Sequence, residues 1–360
     1  MERTLTKPTI INFAGELTPA RAEEVILNLD DVEEGSPVSV DFSRYPIIKP
    51  GAGWRIGSAL RRFSGSSLEV NVPPLGDGEW FRDFGRSGLG YSLAVHAGKI
   101  QVSGMDASVQ FRNLYNGIGR RTDEVYVLFG DLHQGISVNP EREDLFRDDF
   151  VGALRSLRVQ PSDFGREGLS DLIKFAFEAT QNVFDHASRK PLHHGVKVAS
   201  YLLLERVGGI GGLSDTTGRL KGYVRRTTGL FGWRMTEFVR VRVTDDGVGV
   251  AARQSQNAIV YQGPLDAEAA MVGEALNGHS SIKGIAQDCR IRGSAGHGYT
   301  YIKASLQTLR AFAILRTGRL IAVFDGSNHS RGFEFVGDEL GYLPGTTMEV
   351  LVPVTEISGP

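Results

Sequence analysis

Apolar and small residues recur at three- and four-residue steps near the middle of the chain. Leu169, Leu172, Ile173, Ala176, Thr180, Val183, Phe184 and Ala187 form this stripe. That period is the signature of a helix lying on a core. Asp171, Lys174, Glu178, Asn182 and Asp185 keep the same steps and share another face. Gln160-Pro161-Ser162-Asp163 supplies Pro and capping residues just ahead of it.

The first third alternates between strand and helix patterns. Pro8 to Gly15 is β-rich, and Thr18-Pro19-Ala20 starts a helical run to Leu29. Pro37 to Phe42 alternates like a half-buried strand, Trp54 to Phe63 reads as a helix, and Leu68 to Val72 as a third strand stopped by Pro73-Pro74. Trp80 to Phe84 is a short helix, Glu124 to Phe129 a strand, and Arg142 to Leu157 a helix. Beyond the central helix, Val196 to Glu205 and Phe238 to Thr244 read as strands. The Gly- and Arg-rich stretch between them, residues 207–233, is expected to be a long hairpin loop or mobile excursion. Leu265 to Leu276 and Thr300 to Arg310 have helical patterns. Ala311 to Leu315, Leu320 to Phe324 and Met348 to Val352 read as three closing strands. The expected class is α+β, divided at residues 1–110, a connecting strand and helix over 111–160, and 161–360.

Composition narrows the function classes. Of 360 residues, 41% are hydrophobic and 23% charged, enough apolar material for real cores. A formal net charge of -2 supplies no global field for nucleic acid or anionic membrane. The single cysteine, Cys289, excludes an internal disulfide framework and fits a reducing compartment. No apolar h-region follows Met1, and no apolar run reaches membrane-spanning length, so a cytoplasmic location is expected.

Three stretches carry candidate chemistry. Glu178 and Asn182 stand about one helical turn apart. An amide oxygen can ligate a hard cation, and a carboxylate beside it can orient a water or take its proton; a solvated helix face is the alternative. Asp245-x-Gly247-x-Gly249 puts a carboxylate at a strand end, with glycines that let backbone approach a ligand. Such a carboxylate can accept a hydrogen bond from the exocyclic amine of a purine; a turn is the alternative. Gly293-Ser-Ala-Gly296-His297-Gly298 leads into a helical pattern, the arrangement that cradles anions on backbone N–H groups. It lacks the Lys-Ser/Thr pair of a Walker A loop.

Taken in order, Glu178-x-x-x-Asn182-x-x-Asp185, Asp245-x-Gly247-x-Gly249, Gly296-x-Gly298 and Gly345-Thr346 resemble the Bergerat-fold ATPases, the superfamily of gyrase, the ninety-kilodalton heat-shock chaperones, histidine kinases and MutL. The resemblance covers residues 160–354. It implies a sandwich of mixed sheet and helices that binds Mg-ATP. Asn182 would ligate Mg²⁺, and Glu178 would be the general base or water-orienting group. Asp185 would complete the helix motif, and Asp245 would bond the adenine amine, with Thr346 supporting that contact through water. Gly247 and Gly249 would pack backbone against the nucleotide, and Gly296 and Gly298 would pass the phosphates to backbone N–H groups, with His297 between them touching phosphate. Residues 251–295 would form the lid.

The strand–helix order of the first hundred residues, with Val40-Asp41-Phe42-Ser43 on the second strand, resembles a STAS domain; a generic α/β docking domain is the alternative. Where that family carries a phosphorylatable Ser or Thr, this chain reads Ile48-Lys49-Pro50-Gly51, so the phospho-switch is not expected. No Lys-bearing transducer segment follows residue 354. His96 and His133, in strand-like contexts, are poor phosphoacceptors. The leading expectation is a slow Mg-ATP hydrolase acting as a conformational switch, with the N-terminal domain engaging a protein partner or a second copy. The rivals are a Ser/Thr protein kinase of the anti-sigma type and a nucleotide-sensing scaffold without turnover.

Overall fold

The computed structural model describes residues 8–33, 36–49, 51–74, 80, 84–85, 87–116, 124–128, 143–186, 200–208, 219–231, 236–277, 298–328, 332–336 and 340–355. The fold is α+β, and the chain divides into two units. The first takes the described residues of Met1–Ile118 with Leu340–Pro344, and the second takes most of the remainder. Among the described residues no helix is long and apolar enough to cross a membrane.

The first unit is built on a five-stranded sheet of β1 (Thr9–Asn12), β3 (Val38–Asp41), β5 (Gly65–Val72), β6 (Ala97–Val102) and β7 (Met105–Asp106), in that order. The first four run parallel and β7 turns back antiparallel. A second pair, β2 (Glu16–Leu17) and β4 (Ile47–Ile48), is also parallel. Parallel strands need crossovers, and the helices α1 (Pro19–Asp30), α2 (Gly53–Leu60) and α3 (Leu89–His96) lie between them. Thr18 caps α1 through Arg21 N–H, as its Thr-Pro start anticipates. Helices α2 and α3 approach closely because Gly53 and Gly57 face Ser87 and Ser92. A Cβ on Gly57 would lie 2.6 Å from Ser92 Cβ. His96 closes a helix rather than a strand, and its side chain is buried. Helix α4 (Ser108–Asn116) completes the unit, with Ser108 fastened to Asp106.

The second unit holds a seven-stranded sheet. Its order is β13 (Glu334–Phe335), β12 (Leu320–Asp325), β11 (Phe312–Gly318), β14 (Leu343–Thr355), β10 (Thr236–Asp245), β9 (Ser200–Gly208) and β8 (Glu124–Leu128). One face of β10 presents Val239, Val241 and Val243. By register it continues into Leu204 and Leu202 on β9 and Val352, Val350 and Met348 on β14. Against β10 packs α6 (Gly165–His186), and α10 (Gly298–Thr308) packs on α6. Helix α5 (Glu143–Ser156) sits beside α6, its Phe146 ring edge-on to Phe177 at 5.4 Å.

The expected loop over 207–233 is corrected. Leu220–Phe231 forms helix α7, and Leu220, Tyr223, Val224 and Thr227 are its buried stripe. The glycines and arginines around that stripe hide its period, but four buried contacts one turn apart outweigh their weak propensities. Tyr223 donates a hydrogen bond to Arg310 O at 3.0 Å and its ring packs 5.2 Å from Phe312. Where one helix was expected after residue 250, the structure has α8 (Val250–Ser255), a 3₁₀ turn at Ala258–Gln262 capped by Asn257, and α9 (Leu265–Asn277).

Burial pushes the Tyr223 hydroxyl well above the usual phenol range. A group whose pKa is raised on folding stabilises the fold below its unfolded value and withdraws that stability as pH rises past it. Unfolding free energy should therefore fall above about pH 10, the unfolded phenol value. Tyr223→Phe should cost about 1 kcal/mol at neutral pH through the lost hydrogen bond, and should show a shallower alkaline decline. Denaturant melts between neutral and strongly alkaline pH check both, and parallel curves for the two proteins would refute the assignment.

Candidate functional site

Strand β10 ends at Asp245, directly opposite Thr346 on β14 and Ser200 on β9. Residues opposite one another in antiparallel strands share a face. These three polar side chains therefore close the end of the apolar face that α6 covers. Asp245 is only 6% exposed, and its Oδ1 accepts a hydrogen bond from Gly247 N–H at 2.8 Å. The loop that follows is tied down on every side. Gly249 has φ +78°, and a Cβ there would lie 2.4 Å from the Tyr261 hydroxyl. Gly345 has φ +82°, and a Cβ there would lie 2.0 Å from Asp245 O. Glycine is required at both for conformation and for room.

The residues beneath the loop come from far along the chain. The Tyr261 hydroxyl donates to Val248 O at 2.8 Å and accepts from Ala252 N–H at 3.2 Å. Thr317 Oγ1 accepts from Val250 N–H and donates to Gly345 O, each at 3.1 Å, and lies 3.4 Å from Thr346 Oγ1. Glu268, fully buried on α9, takes the Arg319 backbone N–H at 2.7 Å and its Nε at 2.8 Å. Arg319 also donates to Gly263 O at 2.8 Å. The described part of the expected lid, through Asn277, is thus anchored to the β11–β12 hairpin.

On α6 the polar row Lys174, Glu178 and Asn182 is half-buried, flanked by the buried Phe175, Phe177, Ala179 and Val183. It is not a solvated face. Lys174 Nζ stands 4.0 Å from the centre of the Tyr301 ring in the first turn of α10. Two residues earlier, burial pushes the Tyr299 hydroxyl up, and the neighbouring Asp245 carboxylate pushes the same way. The first turn of α10 therefore touches the α6 polar row at Lys174 through Tyr301, and its Tyr299 lies within electrostatic reach of Asp245. Gly298 opens that helix. Gly296, His297, residues 278–295 with Cys289, and the Asp185 side chain lie outside the described residues.

Among the described residues no group of three His, Cys, Asp or Glu side chains is placed to hold a metal by itself. An amide such as Asn182, completed by phosphate oxygens and water, suits Mg²⁺, which keeps several waters and takes few protein ligands. The chain matches no family model, no curated protein and no solved structure.

Sequence reasoning picked out Glu178, Asn182, Asp245, Gly247, Gly249 and Thr346, and missed Tyr261, Glu268, Thr317, Arg319, Tyr299 and Ser200. Ser200 left a signal: in alternation it falls with Leu202 and Leu204, a polar residue at a core-facing place. Gly345→Ala should lower stability by roughly 2–4 kcal/mol, because strain at positive φ adds to a clash with backbone. Thermal melts should show the loss, and an unchanged melting temperature would mean that β14 does not press on Asp245 as described.

Proposed function

We propose that the second unit is a Bergerat-type Mg-ATP site, used by the protein as a slow ATP-hydrolysing switch. One observation carries the reading. The first turn of α10 carries Tyr301, whose ring takes Lys174 of the α6 polar row, and Tyr299, whose hydroxyl feels the Asp245 charge, and Asp245 pairs by register with Thr346. These polar groups stand on a helix face, a strand end and beside a helix start. A nucleotide needs all three.

In this reading the Asp245 carboxylate accepts from the adenine amine, and Thr346 supports it from the next strand. Its orientation is preset by the Gly247 N–H, so little ordering remains to be done on binding. Gly249 keeps the backbone close to the nucleotide. The start of α10 at Gly298, with Gly296 and His297 before it, faces the phosphates. Asn182 holds Mg²⁺, which would draw charge off the phosphate oxygens when bound. Glu178, one turn earlier and half-buried, holds the attacking water and takes its proton. Half-burial strengthens that carboxylate's interactions relative to open water. The parallel sheet of the first unit, with Ser43 N–H fastened to Asp41 after β3, supports the STAS-like reading and a role in docking a protein partner or a second copy.

Two substitutions separate binding from chemistry. Asp245→Asn should weaken ATP binding by about 1.5–3 kcal/mol while the protein stays folded, since the amide sets a donor against the adenine donor. Calorimetric titration reads this, and unchanged ATP affinity would remove Asp245 from the site. Glu178→Gln should bind Mg-ATP at near-wild-type affinity but turn it over about 10²–10⁴ times more slowly. If phosphate release is equal in the two proteins, Glu178 is not the base. If transfer occurs only to an added protein substrate, the protein is a kinase rather than a switch.

A further inference from the structure

The buried end of the sheet holds a hydroxyl that the reading above leaves unused. Ser200 is fully buried, and its Oγ has no hydrogen-bond partner among the described residues. It sits on β9 directly opposite Asp245, as Thr346 sits opposite on β14. The row Ser200, Asp245, Thr346 therefore crosses three adjacent strands on the face that α6 covers. A buried hydroxyl with no partner is destabilising. A sheet interior built for packing would place Ala or Val there, as at Val243 and Met348 one pair earlier.

We propose that Ser200 reads the nucleobase beside Asp245, donating its hydroxyl hydrogen to the purine ring nitrogen next to the exocyclic amine. This rests on the Mg-ATP reading and adds to it a second contact to the base. Asp245 accepts and Ser200 donates, side by side. Adenine presents the complementary pair, an amine that donates and an adjacent ring nitrogen that accepts. Guanine presents the reverse, a carbonyl oxygen and a ring N–H. Against guanine the Asp245 contact becomes mismatched, carboxylate against carbonyl, while the Ser200 hydroxyl can turn to accept from the ring N–H, so the choice of base rests on Asp245. A serine suits the task because its hydroxyl rotates to donate or accept without moving the backbone. Its neighbours are held: Asp245 by Gly247 N–H, and Thr346 beside Thr317 Oγ1.

The test is Ser200→Ala in the full chain. Calorimetry would measure binding of Mg-ATP, Mg-GTP and 1-deaza-ATP, which lacks the ring acceptor, and thermal melts would be run without nucleotide. Ser200→Ala should weaken ATP binding about tenfold and leave 1-deaza-ATP binding unchanged, with GTP weak in both proteins because the Asp245 carboxylate opposes its carbonyl. The nucleotide-free protein should melt at the same temperature or higher, since removing an unpartnered hydroxyl relieves a cost. A structural serine predicts the opposite, with a lower melting temperature and equal losses for ATP and 1-deaza-ATP. That pattern, or unchanged ATP affinity, overturns the proposal while leaving the ATP site standing. Wild-type protein that binds none of the three nucleotides overturns the ATP reading itself, and this proposal with it.

Discussion

The register between β10 and β14 is the constraint on which the second unit depends. It places Asp245 opposite Thr346 and lets the backbone at Gly345 rest against the Asp245 carbonyl. A slip of one residue would exchange the two faces of the strand. The helix-facing side would then receive Arg240 and Arg242 in place of Val241 and Val243. These arginines are 1% exposed and sit on the opposite face, where Arg242 Nε donates to Glu349 at 2.7 Å and Arg240 Nη1 to Glu205 at 2.6 Å. Buried ion pairs add little net stability. Their weight falls on the alternative, because a slipped register would bury the same charges against valine. Alternating charge and valine along β10 thus fixes where Asp245 stops.

What was legible in the sequence follows from the range of the interactions involved. The central helix, the strands of β10 and β12 and the first unit's strand–helix alternation rest on periods of two to four residues, and these were read directly. Helix α7 was misread because its buried stripe is short and set among Gly222, Gly229 and several arginines. The residues that shape the site's floor were invisible for another reason. Thr317 reaches Val250 across 67 positions, and Arg319 reaches Glu268 across 51. No local pattern encodes such pairs. Ser200 is intermediate: its parity was wrong for a core strand, and that signal acquired meaning only once the register brought it beside Asp245.

The floor residues also divide the site into parts of different stiffness. Glu268 is fully buried and needs Arg319, since a buried carboxylate stripped of its partner costs several kcal/mol. Gly318 admits this contact because a Cβ there would lie 2.2 Å from Glu268 Oε1. Tyr261 and Thr317 then hold the far end of the Asp245–Gly249 loop, at Val248, Val250 and Ala252. The end that the proposed nucleotide site assigns to the base is therefore preorganised, and α8 and α9 belong to its support rather than to a moving cover. The polar row of α6 is held differently. Lys174 rests on an aromatic face at 4.0 Å, a contact worth about 0.5–2 kcal/mol that tolerates sliding. Recognition of the base would thus come from a rigid strand end, and adjustment around the phosphates from the joint between α6 and the first turn of α10. A switch requires that asymmetry: one end of the ligand must bind before the other can report what it carries.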